Sequence, residues 1–161
     1  VPCARIISYD SIYDKLEDRA VIAVVVRVLE GIEGNILVIF NEEIAKNLIE
    51  SLTGSKENIF DEMGTSLMCE IGNIMSGTFL ETIAKFANFT EESLTLSVPA
   101  LCYDMLTAIL STIFIESGQH EDFVLELDTE FTIEDDKKDC LFYFIPVPGS
   151  LDNILEKLKI N

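Results

Sequence analysis

Two short stretches of this chain echo each other: Asn47-Leu48-Ile49-Glu50-Ser51-Leu52 and Asn153-Ile154-Leu155-Glu156-Lys157-Leu158. Each follows a pair of apolar, strand-like runs, and Val1-Pro2 and Val98-Pro99 stand at comparable places upstream of those pairs. An internal repeat limits the architecture strongly, because two copies of one unit must bury matching apolar faces against each other. The first unit reads strand, strand, helix. Ala20–Glu30 is a continuous β-branched run, the pattern of a strand covered on both faces, and Asn35–Phe40 returns as its hairpin partner. Asn41 is placed to cap the helix that follows, with Ile44, Leu48, Ile49 and Leu52 on one side and Gly54 as its stop. In the second unit Phe123, Leu125, Leu127, Phe131 and Ile133 alternate with Glu126, Asp128 and Glu130, which predicts a strand with one wet face. Asp135-Asp136-Lys137-Lys138 supplies a turn, Cys140–Val147 a buried return strand, and Ser150 a cap for the last helix.

Ahead of the second hairpin, and part of its unit, lie a helix over about Asp61–Phe86, a strand over Ser93–Leu101 interrupted by Pro99, and a helix over Met105–Glu116. The fold class expected is α+β: a pseudo-twofold repeat with a mixed or antiparallel sheet packed against long helices. No linker or low-complexity tract divides residues 1–161, so one domain is expected. The second unit opens with a long helix, and the first shows none before Val1-Pro2. A first helix is therefore expected to be missing, with sheet surface left uncovered in its place.

Several chemistries drop out on composition. The single His120 sits in the polar stretch Gly118-Gln119-His120-Glu121-Asp122, more the setting of a surface residue than of a base, and no second His exists for a metal pair. Cys3, Cys69, Cys102 and Cys140 are dispersed in apolar contexts without a C-x-x-C, so small hydrophobe is favoured over metal ligand or disulfide. That usage suits the cytoplasm. The longest apolar run, Ala20–Val26, is too short to cross a bilayer, and no Gly-rich phosphate loop or G-x-S-x-G occurs. A formal net charge of −18 repels nucleic acid and anionic lipid, so neither nucleic-acid binding nor membrane insertion is expected.

The chemistry that remains is carried by the central helix. At about 100° per residue, Ser66, Glu70, Asn73 and Gly77 fall within a narrow polar stripe, while Leu67, Met68, Ile71, Ile74, Met75 and Phe86 gather on the opposite, core side. The bland reading is the wet face of an amphipathic helix, and for a random Glu/Asn pair it usually wins. Gly72, Asn73 and Gly77 weaken it here. Each glycine costs about 1 kcal/mol against Ala in a helix interior, and Asn is a mediocre helix former. Gly77 would let another surface approach the stripe, and Gly72, off the stripe, would serve packing. An amide beside a carboxylate, with no His, Cys or metal, is suited to holding a water for in-line attack while the acid meets a cation.

Ser66, Glu70, Asn73 and the later Pro99 together resemble the signature of the CheC/CheX/FliY phosphatases of bacterial chemotaxis. Glu70-Ile71-Gly72-Asn73-Ile74-Met75-Ser76-Gly77-Thr78 looks like the second active-site helix of the CheC type, and the similarity runs to Ile145-Pro146-Val147-Pro148-Gly149-Ser150. The resemblance implies hydrolysis of the aspartyl phosphate on the response regulator CheY. Asn73 would orient the attacking water, Glu70 would engage a Lys of CheY, and Ser66 and Gly77 would belong to the docking surface. Pro99 would shape the fold. No cofactor is implied in this chain, the Mg²⁺ being carried by CheY. CheC-type chains usually carry two such helices, of which this sequence shows the second. The resemblance also implies a partner in the receptor deamidase CheD, through Tyr103-Asp104-Met105-Leu106-Thr107-Ala108, with Asp104 as the polar determinant. An equal reading makes Asp104 the N-cap of the helix that follows. A non-catalytic adaptor, binding CheD or a flagellar switch component, is the alternative to the enzyme.

Overall fold

A computed structural model describes residues 4–15, 17–56, 58–87, 94–116, 123–133 and 136–158. The chain runs β1 (Ala4–Ser8), α1 (Tyr9–Lys15), β2 (Ala20–Glu30), β3 (Gly34–Phe40), α2 (Glu42–Thr53), α3 (Glu62–Ala87), β4 (Thr95–Leu96), β5 (Ala100–Met105), α4 (Leu106–Glu116), β6 (Phe123–Ile133), β7 (Asp136–Pro146) and α5 (Ser150–Leu158). The strands form one sheet in the order β1-β6-β7-β3-β2, with β4 and β5 both on the outer edge of β2. Every pairing among them is antiparallel.

The repeat is visible in the register. Carrying the Asn47/Asn153 echo back along the chain sets Leu37 on Tyr143, and β3 and β7 pair those two residues directly. Ile36↔Phe144 and Val38↔Phe142 then exchange across them, so the pseudo-twofold axis passes between Leu37 and Tyr143. Each outer strand crosses over: β1 of the first half pairs with β6 of the second, and β5 of the second pairs with β2 of the first. Sequence patterning assigns a helix after the Pro strand only to the second half. The structure supplies its counterpart, α1 after β1, and makes the halves more alike.

Strand periodicity sorts the core into two layers. Ile22, Val24, Val26, Ile36, Val38, Phe40, Phe142 and Phe144 face α2 and α3. Val21, Ala23, Leu37, Ile39, Val124, Tyr143 and Ile145 face α1 and α4, where Ile12, Leu106, Leu110 and Ile113 close the second layer. At the central seam Gly34 lies opposite Pro146, and a Cβ built there would sit 2.5 Å from the Ile145 carbonyl and 2.7 Å from the Phe144 ring. Only glycine permits that approach.

The helix ends follow local chemistry. Asn41 accepts from the Ile44 N–H at 2.7 Å, and Gly54 closes α2 in the left-handed region at φ 72°. Asp61 accepts from the Gly64 N–H at 2.7 Å and starts α3. At α4 the cap comes from far along the chain. Asp18 accepts from both the N–H (3.3 Å) and the hydroxyl (2.8 Å) of Thr107. Asp104, read as the local cap, bonds only the adjacent Met105 N–H at 2.7 Å. The helix starts at Leu106, one residue later than the sequence suggests, so the N-cap reading of Asp104 is replaced by Asp18.

A second correction concerns β6. Its acidic alternation reads as a wet face, yet Glu126 is 7% exposed. The α1/α4 layer covers that side of the sheet too. Glu126 tolerates burial because its carboxylate takes the Tyr143 hydroxyl at 3.1 Å and the Arg5 guanidinium at 3.2 Å. The Pro99 strand is likewise two pieces, β4 and β5, separated at Ser97–Pro99. Asp136-Lys137-Lys138, read as a turn, instead open β7 and pair with Ile133, Thr132 and Phe131. The side chains of Phe131, Ile133, Asp128 and Glu130, and Asp135, His120 and Cys3, lie outside the described residues.

Burial, and then the facing Glu126 carboxylate, push the Tyr143 hydroxyl well above the usual phenol range. The folded chain therefore holds this proton more tightly than the unfolded chain does. That contribution to stability is full below about pH 10 and is lost as pH rises beyond it. In an ultraviolet titration of the folded protein, one tyrosine should stay protonated above the range where exposed tyrosines ionise. The Tyr143→Phe variant should lack that late step.

Candidate functional site

The long helix α3 lies over β2 and runs along the β5/β4 edge of the sheet. Its placement rests on Gly72, where an added Cβ would stand 2.3 Å from Cγ1 of Val24. Helix backbone and strand side chain are therefore in direct contact. One turn on, Ser76 is fully buried, and its hydroxyl donates to the Gly72 carbonyl at 2.7 Å. Met68, Phe79, Leu80 and Ala84 complete the buried side. At the edge, the Cys69 thiol approaches the Pro99 carbonyl at 4.0 Å, and burial pushes its pKa up. Cys69, Cys102 and Cys140 are all thiols rather than disulfides.

With that side fixed against the sheet, the opposite side of α3 is fixed outward. Ser66 and Glu70 are exposed, and Asn73 and Gly77 are half-buried. The rise between Glu70 and Asn73 is about 4.5 Å, so the acid and the amide stand side by side on the surface. Ile74, expected on the core face, is instead 59% exposed and borders the stripe beside Glu70. Its angle, about 40° from Glu70, explains this: the buried arc is centred on Gly72 and Ser76, farther round the helix than an apolar count suggests. The side chain of Phe86 lies outside the described set.

The two glycines separate cleanly. Gly72 is required by Val24, whereas a Cβ on Gly77 would meet none of the described residues within 4 Å. Packing among the described residues therefore leaves the helix cost of Gly77 uncompensated, about 1 kcal/mol against Ala. Next to Gly77 a depression of about 230 Å³ is lined by Leu80, Glu81, Leu94 and Leu96. Sequence reading missed it. The signal was that Glu81 continues the polar stripe by one more turn, while the Leu94/Leu96 alternation ahead of Pro99 faces the same helix.

Asp104 stands apart from this stripe. It is exposed near the end of edge strand β5, beside Tyr103 (47% exposed) and Met105 (39%). The Tyr103 ring packs on Phe60 at 4.9 Å between centroids, and its hydroxyl donates to Glu42 at 3.4 Å. The structure thus brings Ser66, Glu70, Asn73 and Gly77 together on one helix face and leaves Asp104 on a different surface. Among the described residues no group of three His, Cys, Asp or Glu side chains could hold a metal ion, and no helix is long and apolar enough to cross a membrane. The stripe offers a flat face that can position a water and pair with a cation.

Comparison with known proteins places the chain in a family. The CheY-P phosphatase CheC of Bacillus subtilis (strain 168) is 24% identical over 155 residues, covering 92% of this chain and 73% of that protein. Among solved structures, FliY of Thermotoga maritima superposes with a TM-score of 0.71 at 16% identity, over 97% of this chain and 78% of its own. The CheX–CheY–BeF3–Mg²⁺ complex of Borrelia burgdorferi matches with a TM-score of 0.55 at 18% identity, over 86% of this chain and 92% of that one. Residues 22–127, well over half of the chain and spanning all of α3, match the family described as chemotaxis phosphatase CheX. The chain belongs to the chemotaxis phosphatase CheX family.

Proposed function

We propose that this chain hydrolyses the aspartyl phosphate of the response regulator CheY. The observation that carries the reading is the outward pair Glu70 and Asn73 on one rigid helix, in a chain of this family. The Asn73 side-chain amide accepts from and donates to one water, aiming its lone pair at phosphorus. The water oxygen bonds to phosphorus opposite the aspartyl oxygen, and the bond between phosphorus and that oxygen breaks. The aspartate leaves as a carboxylate, and inorganic phosphate carries away the rest. Phosphoryl transfer needs little beyond positioning and charge stabilisation, so one oriented water is a sufficient contribution. Glu70 meets a Lys of CheY and fixes the register, while Ser66 and Gly77 complete the docking face. The Mg²⁺ that neutralises the phosphoryl oxygens is part of phosphorylated CheY, and this chain supplies none of its ligands.

The Asn73→Ala variant should slow catalysed decay of phosphorylated CheY by about 100-fold or more, the scale of losing one preorganised polar group, without unfolding. Replacing Glu70 by Lys should weaken binding to CheY. Decay that Asn73→Ala leaves unchanged would remove the catalytic assignment.

One observation favours a second reading, an adaptor that binds the deamidase CheD or a flagellar switch component. With Asp18 capping α4, Asp104 is exposed at a sheet edge with no capping duty to explain it. In a pull-down with CheD, Asp104→Lys should reduce capture sharply. Undiminished capture would take Asp104 out of that surface.

A further inference from the structure

The polar stripe of α3 continues past Asn73 into an apolar hollow. Gly77 is one turn from Asn73, about 6 Å along the axis, and it opens the depression lined by Leu80, Leu94 and Leu96, with exposed Glu81 beside it. Among the described residues, nothing within 4 Å of an added Cβ calls for glycine at position 77. The missing side chain serves to keep this hollow open toward the face that bears Glu70 and Asn73. The hollow, an open depression of about 230 Å³, has room for an aliphatic or aromatic side chain. Interfaces draw most of their affinity from such pocketed apolar anchors rimmed by polar contacts. Acids lie at both ends of the surface, Glu70 and Glu81, so the complementary partner presents basic groups around an apolar one.

We propose that this hollow receives an apolar side chain of phosphorylated CheY, flanked by a basic residue that meets Glu81, and that this anchor holds CheY on the α3 face. The proposal rests on the phosphatase reading and adds a second contact to it. Leu80, Leu94 and Leu96 form the floor, Gly77 the mouth and Glu81 the rim. Asn73 acts on the reacting water, whereas Gly77 acts by admitting the anchor. Their variants therefore differ in what they lose.

The test compares wild type, Gly77→Leu, Glu81→Lys and Asn73→Ala. Binding is measured by calorimetry with beryllofluoride-activated CheY, and hydrolysis by decay of phosphorylated CheY. Gly77→Leu should melt no lower than wild type, since leucine is the better helix former, its Cβ meets no described residue within 4 Å and the rest of its side chain enters the apolar hollow. It should raise both Kd and KM by about tenfold, the effect of closing one anchoring pocket, with kcat retained. Glu81→Lys should weaken binding several-fold, and more at low salt. Unchanged Kd in both variants would overturn the hollow as an anchor site. If Gly77→Leu fails to fold, the Glu81→Lys result alone decides in the same way. Asn73→Ala separates the two claims. Binding retained with hydrolysis lost supports both, whereas hydrolysis retained with weakened Gly77→Leu binding overturns the catalytic reading and keeps the anchor. Absence of any binding by wild type would overturn both.

Discussion

The seam between β3 and β7 is the constraint on which the other placements rest. Two similar halves meet there across Leu37 and Tyr143, and the sheet closes because Gly34 lets the Phe144 ring and the Ile145 carbonyl come where a Cβ would stand. Each half then lends its outer strand to the other, β1 to β6 and β5 to β2. Pairing of this kind makes the halves mutually dependent, since neither hairpin has its edge covered without the other half. It also accounts for Glu126 and Arg5. An ion pair bridging β1 and β6, closed by the Tyr143 hydroxyl, fastens the borrowed strand next to the pseudo-axis.

From that seam the functional face follows by a short mechanical chain. β2 is held between β3 and β5, so Val24 has a fixed position. Val24 fixes Gly72 by direct contact, and Gly72 fixes the rotation of α3 about its own axis. Ser76, one turn on, is buried on the same side with its hydroxyl satisfied inside the helix by the Gly72 carbonyl, so that side of α3 stays against the sheet. Glu70 and Asn73 consequently lie on the outer side of the helix, the kind of support that the proposed positioning of a water requires. A loop could carry the same residues but could not hold an amide oriented at the required precision.

Much of this was legible in the residues. The β-branched run of β2, the Asn41 and Gly54 ends of α2, and the echo between the two halves all rest on local signals that the structure bears out. The stripe itself follows from helical spacing alone. What escaped reading depended on contacts between distant parts of the chain. The Asp18 cap on Thr107 cannot be seen in a sequence where a nearer Asp104 offers the same chemistry. Glu126 reads as a solvent residue until a second helix layer is known to cover its face. Ile74 sits in an apolar run, and only the packing of Gly72 on Val24 shows which side of the helix is inner. The Gly77 hollow needs both α3 and β4, joined in space by a connection whose course no motif specifies.

The central claim is that the outward face of α3 is the surface that meets phosphorylated CheY, and amide chemical-shift mapping addresses it most directly. On titration with beryllofluoride-activated CheY, the account predicts that the largest shifts cluster on Ser66, Glu70, Asn73, Gly77 and Glu81, while α1 and α4 stay unchanged. Shifts concentrated on α1 and α4, or confined to Tyr103–Met105 at the sheet edge, would contradict it.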